Sequence, residues 1–264
     1  KVFDSDETGF WAKLDYLAPE CHMWKVKYYL ISSCCTEGSY RKCQCLVSDS
    51  PLGPFVQLRQ EAVTPPDWQC LDGTLYVDLH GKPWMVFCHE WLQVGDGQIA
   101  AVPLSDDLSE VLFRGSDAPW RGSFCRHRGY VTDGPFLYRM KDNSLRMLWS
   151  SFTEKGYATG YAKSKSGEIH GPWIQRQEPL YFLDGAHSML FHTFDGRLMM
   201  SLHCPNIHTK KKMLLFEMEE KDGELYILNE ITGNWYQNAG GNAAGYLYHE
   251  PCREEIRFSG KAEE

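Results

Sequence analysis

The 264-residue chain contains no run of about 18 apolar residues, so a helical membrane span is not expected and no membrane is predicted as a partner. It also lacks a basic face. The formal net charge is −8, and the longest basic run is Lys210-Lys211-Lys212. Phosphate backbones require clustered Lys and Arg, so no nucleic acid is predicted as a partner either. There is no G-x-S-x-G, P-loop, H-E-x-x-H or dinucleotide fingerprint. His187, His192, His203 and His208 do not follow a zinc-ligand spacing. Ten cysteines are present but no C-x-x-C, which argues against a zinc ribbon or a thioredoxin-type motif. Several sit inside apolar runs, such as Cys88 in WMVFC, and are expected to be small, buried and reduced. That usage leans towards a reducing, cytoplasmic compartment, with secretion as the alternative. The chain opens on Lys1 rather than Met, so the lack of a secretory leader carries no weight.

Aromatic residues and repetition are what the chain has in quantity. Aromatics make up 14% of it. Four segments share one pattern: a polar residue, a strand-like run, a turn with Gly, Lys or Asn, and a second apolar run. They read APECHMWKVKYYLISS, LDGTLYVDLHGKPWMVF, TDGPFLYRMKDNSLRMLWSS and GAHSMLFHTFDGRLMMSLH. Their second runs, marked by Tyr28, Trp84, Met147 and Met199, lie 56, 63 and 52 residues apart. SDSPLGPF follows the first segment, and SKSGEIHGPW follows the third at nearly the same interval. Short runs bounded by Gly, Pro, Asp or Asn read as strands, and LHGKP, KDNS and FDGR read as hairpin turns. A period in the fifties built from such units predicts an all-β fold, a β-propeller. No linker interrupts it, so residues 1–264 are expected to form a single propeller domain. The tail, from LLFEMEEKDGELYILNE through GNAAGYLYHEP, is expected either to form a fifth repeat or to complete the fourth.

Innermost strands of a propeller bring side chains from distant repeats together. The polar residues that open the four segments are Glu20, Asp72, Asp133 and His187. Converging carboxylates suit glycosidic bond cleavage: one acid protonates the leaving oxygen, and another group activates water or attacks. The same residues also serve as ordinary turn and cap residues, so spacing alone leaves both readings open. Trp68, Trp91 and Trp120 offer flat faces for sugar stacking or for core packing. Arg128, near Arg126 and His127, could meet sugar hydroxyls or pair with a nearby acid.

Five motifs, LAPECHMWKVKYYL, SDSPLGPF, LDGTLYVDLHGKPWMVF, TDGPFLYRM and GAHSMLFHTFDGRLMMSLH, resemble in content and order those of glycoside hydrolase family 43. The resemblance spans nearly the whole chain. It implies a five-bladed propeller that hydrolyses arabinose- or xylose-containing glycans of plant type by inversion. By the same resemblance, Asp72 matches the aspartate that tunes the acid, and Asp133 stands at the acid's position. There the family usually has Glu, in EGP, and the shorter Asp makes Glu90 in CHEW the reserve acid. His187 matches the family's axial histidine, the expected contact for a central calcium ion or water, and His203 falls within the same motif. No other cofactor is implied. The family's first-blade DP motif, which carries the base, has no counterpart before APE, so the propeller is expected to be incomplete at its N-terminus.

The leading expectation is therefore an α-L-arabinofuranosidase, β-xylosidase or arabinanase. The alternatives are a non-catalytic glycan-binding propeller and a related five-bladed enzyme such as a fructan hydrolase or a glycoside phosphorylase.

Overall fold

The computed structural model describes residues 1–6, 9–112, 120–121 and 131–231. They form four antiparallel sheets of four strands each, each sheet built from consecutive strands. The first sheet holds β1 (Leu14–Trp24), β2 (Lys27–Cys35), β3 (Lys42–Ser48) and β4 (Val56–Gln57). The second holds β5 (Cys70–Val77), β6 (Pro83–His89), β7 (Gln98–Pro103) and β8 (Trp120–Arg121), with the one-turn helix α1 (Trp91–Val94) between β6 and β7. The third holds β9 (Asp133–Arg139), β10 (Leu145–Thr153), β11 (Gly156–Ser164) and β12 (Trp173–Gln175). The fourth holds β13 (Ala186–His192), β14 (Leu198–Cys204), β15 (Lys212–Lys221) and β16 (Glu224–Glu230). These are the blades of a β-propeller, four of them among the described residues. LLFEMEEKDGELYILNE forms β15 and β16 and so completes the fourth blade. GNAAGYLYHEP, the remainder of the expected fifth repeat, lies outside the described residues.

Turn chemistry explains the hairpins. Gly81, Asn143 and Gly196 adopt φ of 74°, 63° and 87° in the turns after β5, β9 and β13, the left-handed conformation such turns require. Asp78 closes the first of these turns: its carboxylate accepts from the His80 and Lys82 amides at 2.9 Å and from Trp84 Nε1 at 2.9 Å.

The chain packs as two compact units, Lys1–Pro135 and Phe136–Glu264. In the first, one core cluster joins Tyr29, Ile31, Cys43 and Cys45 of the first blade to Cys70, Met85, Phe87, Ala100 and Val102 of the second. Seven of the eight described cysteines are buried, and only Cys21 is exposed. In the second unit, Leu148 and Tyr161 of the third blade pack with Leu190, Met200, Leu202, Leu214 and Phe216 of the fourth.

Three innermost strands, β1, β5 and β13, carry the same irregularity. Leu17 pairs with Ser33 and Glu20 with Ile31, so Ala18 and Pro19 together oppose one residue. Asp72 and Gly73 do the same between the pairs Leu71–Cys88 and Thr74–Val86. His187 and Ser188 do so between Ala186–His203 and Met189–Ser201. Each is a β-bulge, and the first residue of each is left-handed: φ is 46° at Ala18, 56° at Asp72 and 59° at His187.

Gly73, the second residue of its bulge, has no room for a side chain. A Cβ there would lie 2.9 Å from Met85 Sδ and 3.0 Å from Cys43 Cβ. Gly73→Ala is expected to cost about 1–3 kcal/mol of stability through overpacking. Urea unfolding would show this as a lowered midpoint with an unchanged slope, and an unchanged midpoint would contradict the packing described.

Candidate active site

Bulges re-aim side chains, and this decides which residues the blades present. Asp72 and His187 occupy one equivalent position, the left-handed first residue of the bulge. Glu20 and Asp133 do not. In β1 the equivalent residue is Ala18, and Glu20 lies two residues further on, paired with Ile31. In β9 the left-handed residue is Gly134, with φ of 51°, one residue after Asp133. The expectation of one polar position repeated four times is thus corrected. The shared requirement is for a residue that tolerates positive φ, which Asp, Gly and His meet more readily than most.

Three of these left-handed residues, Asp72, Gly134 and His187, turn their N–H towards the preceding blade, where an oxygen must accept it. The Asp72 amide donates to Ser33 Oγ on β2 at 2.8 Å. The His187 amide donates to Ser150 Oγ on β10 at 2.8 Å. Between the second blade and β9 the acceptor is Asp72 itself: the Gly134 amide donates to Asp72 Oδ2 at 2.9 Å. Ser33 and Ser150 were not among the predicted site residues. The paired serines of LISSC and LWSSF are the signal that points to them, the acceptor being the second of the pair in β2 and the first in β10.

Asp72 is 5% exposed. Through Gly134 its carboxylate sits one residue from Asp133, which is half-buried. The fully buried Cys88 thiol is pushed well up by burial first, and then by the charges of Asp72 and Asp133. These two predicted residues are therefore brought together at the start of β5 and β9. Glu20 is anchored to the same strand, β5: its Oε2 accepts from Thr74 Oγ1 at 2.7 Å, two residues beyond Asp72, and lies 2.9 Å from His22 Nε2.

Glu90 is placed differently. It is buried, with Oε1 paired to Arg41 and Oε2 accepting from the Gln69 side chain. Arg41 also reaches Asp15 Oδ2 at 3.0 Å. Both carboxylate oxygens are thus taken up within the protein, and neither is left to meet a leaving group. This geometry argues against the role of reserve acid.

Trp68 is half-buried, edge-on to Phe87, and stacks on His89 with ring centroids 4.0 Å apart and planes 10° from parallel. Trp91 opens α1 and is half-buried. Trp120 lies in β8, but its side chain is outside the described residues, as is Arg128.

In the second unit, the His187 and His203 rings lie 6.3 Å apart, and His203 stacks on Tyr157. No group of three or more His, Cys, Asp or Glu side chains among the described residues is placed to hold a metal ion. His187 donates its amide to Ser150 Oγ and sets its ring beside that of His203. His203 makes a 3.1 Å contact from Nε2 to Asn206 Oδ1, and burial depresses its pKa to about 4.

A family model of the glycosyl hydrolases family 43 matches residues 1–230. No curated protein matches the chain. Among solved structures, the chain is similar to an endo-arabinase from Bacteroides thetaiotaomicron, at 45% identity and a TM-score of 0.73, covering 81% of this chain and 79% of that one. A thermostable family-43 glycoside hydrolase shares the fold at 22% identity and a TM-score of 0.71, with 86% and 80% covered. An endo-1,4-beta-xylanase from Bacteroides thetaiotaomicron does so at 21% identity and a TM-score of 0.71, with 87% and 80% covered.

The depressed pKa of His203 predicts a pH dependence of stability. A histidine in an unfolded chain titrates near 6.5, whereas folded His203 stays neutral down to about 4. Between these values unfolding takes up a proton, so this contribution is present above 6.5 and is lost as pH falls towards 4. His203→Gln is expected to flatten the wild-type loss of unfolding free energy over that window. Equal slopes for the two proteins, measured by urea titration at each pH, would refute it.

The match over residues 1–230 and the 45% identity over most of both chains lead to one conclusion: the chain belongs to glycosyl hydrolases family 43 and is a glycosidase.

Proposed function

We propose that this glycosidase cleaves α-L-arabinofuranosyl linkages in arabinose-containing plant glycans by an inverting acid–base mechanism. The observation that supports it most is the Asp72–Gly134 hydrogen bond, which places the Asp72 carboxylate one residue from Asp133 in a largely buried setting. Two neighbouring carboxylates with different surroundings are what an acid and its tuning partner need. Asp133 is assigned as the acid that protonates the leaving oxygen, and Asp72 as the carboxylate that orients and tunes it. Asp72 has its amide and one carboxylate oxygen fixed, so its position is set before any sugar arrives. The 45% identical neighbour described as an endo-arabinase favours arabinosyl over xylosyl linkages. Trp68, held by His89, is assigned as a stacking face for a sugar ring. These side chains supply the acid, its tuning partner and a stacking face; the base that activates water is assigned to none of them.

The test uses the protein expressed from its complete gene. Linear arabinan, xylan oligosaccharides, aryl α-L-arabinofuranosides and aryl β-D-xylosides are offered as substrates, and product anomers are followed by NMR. Turnover of arabinosyl substrates with inversion is expected. Asp72→Asn and Asp133→Asn should each lower kcat by about 10²–10⁴-fold, with Asp133→Asn milder on substrates that carry activated leaving groups. Turnover of xylosyl substrates alone would overturn the arabinosyl assignment, and full activity of Asp133→Asn would overturn the acid.

A further inference from the structure

We propose that Glu90 and Arg41 form a positioning pair, which fixes the loop of residues 65–69 and the α1 turn as one wall of the sugar site. The inference rests on the glycosidase reading above and adds two residues to it.

The pair lies at the centre of one continuous network. Glu90 holds Arg41 with one carboxylate oxygen and the Gln69 amide group with the other. Its own amide donates to the Gln69 carbonyl at 2.8 Å, and its carbonyl accepts from the Gln93 amide at 2.9 Å. Gln93 then returns to the loop. Its Oε1 accepts from the Gln69 amide at 2.6 Å and lies 2.8 Å from His89 Nε2, and its Nε2 donates to the Asp67 carbonyl at 2.9 Å. On the other flank, Lys42 Nζ donates to the carbonyls of Pro65 at 2.9 Å, Pro66 at 2.5 Å and Trp68 at 2.6 Å. The Arg41 carbonyl accepts from the Cys70 amide at 2.9 Å, which ties the pair to the first residue of β5, two before Asp72. Trp68 leaves this loop and stacks on His89.

Two features separate this arrangement from a simple surface ion pair. Glu90 is buried, and both of its oxygens are spoken for, so neither can turn to a glycosidic oxygen without breaking the pair. Arg41 Nε is buried with no hydrogen-bond partner, which fits a guanidinium pulled inward to serve Glu90 and Asp15 rather than one that satisfies every donor. The pair therefore acts on substrate through Trp68 and the start of β5, by holding them in place.

Glu90→Gln keeps the size and acceptor of the side chain, and Arg41→Lys keeps the charge but loses the two-pronged geometry. Each is expected to lower kcat/KM by about ten- to a hundredfold, chiefly through KM, because a displaced binding wall misplaces the sugar. The loss should be equal for 4-nitrophenyl and phenyl α-L-arabinofuranoside. If Glu90 is instead the proton donor, Glu90→Gln will spare the activated 4-nitrophenyl leaving group and cripple the poorer one, and the proposal falls. Hydrogen exchange at the Trp68, Gln69 and Cys70 amides reads the same pair without any sugar. Faster exchange in both variants is expected, and wild-type exchange overturns the positioning role. If wild type hydrolyses none of the arabinosyl substrates but both variants still loosen those amides, the arabinosyl reading fails while the positioning pair stands.

Discussion

The architecture of the site depends on where an amide proton goes when a β-bulge turns it out of its own sheet. A left-handed non-glycine residue costs on the order of 1–3 kcal/mol, and it persists only where its surroundings over-determine it. Here the surroundings are the adjacent blade. Ser33 receives the Asp72 amide, and Ser150 receives the His187 amide. The Asp72 carboxylate, in turn, receives Gly134. The bulge residue therefore does two jobs: its backbone registers one blade against another, and its side chain is thrown out of the pleat. This is why Asp72 is both structural and chemically exposed to its neighbour Asp133. It is also why Gly73, packed against Met85 and Cys43, can be no larger.

The carboxylates of the first unit fall into two classes by their partners. Asp72 and Glu20 each accept from an uncharged donor among the contacts described, the amide of Gly134 and the hydroxyl of Thr74, and Glu20 also lies 2.9 Å from His22 Nε2. Glu90 is met by a guanidinium. A full positive charge against a buried carboxylate locks both groups in place, because separating them would leave an uncompensated charge in the interior. Neutral donors orient a carboxylate while leaving its charge free to act on its surroundings. Buried thiols fill the space beneath. Cys43, Cys70 and Cys88 are small, apolar and held un-ionised by burial, so they add no competing charge under the two aspartates.

Most of the fold was legible because it is written in local chemistry. Hairpin turns announce themselves through Gly81, Asn143 and Gly196, and period-two strands through their apolar runs. Repetition then identifies the propeller, since one blade cannot bury its faces alone. The site was legible in part. Asp72 and Asp133 were visible as acids at repeat starts, and they do come together. Glu20 was visible for the same reason, and Glu90 as the reserve acid in CHEW, but their roles turn on contacts that no spacing reveals. Arg41 lies 49 residues from Glu90, and Gln69 lies 21 from it.

The sequence by itself determined the blade count among the described residues, the turns and the family, because propensity and period act over a few residues and recur. Only the tertiary structure decided which acid faces which partner. Two quantities settle that choice: the register at each bulge, and the charge brought alongside from another blade. The left-handed position holds Asp72 and His187 in two blades but Ala18 and Gly134 in the other two. One guanidinium, from Arg41, occupies an oxygen of the buried Glu90 carboxylate. Both effects arise from strands that meet in space, and neither leaves a mark in the residues on either side.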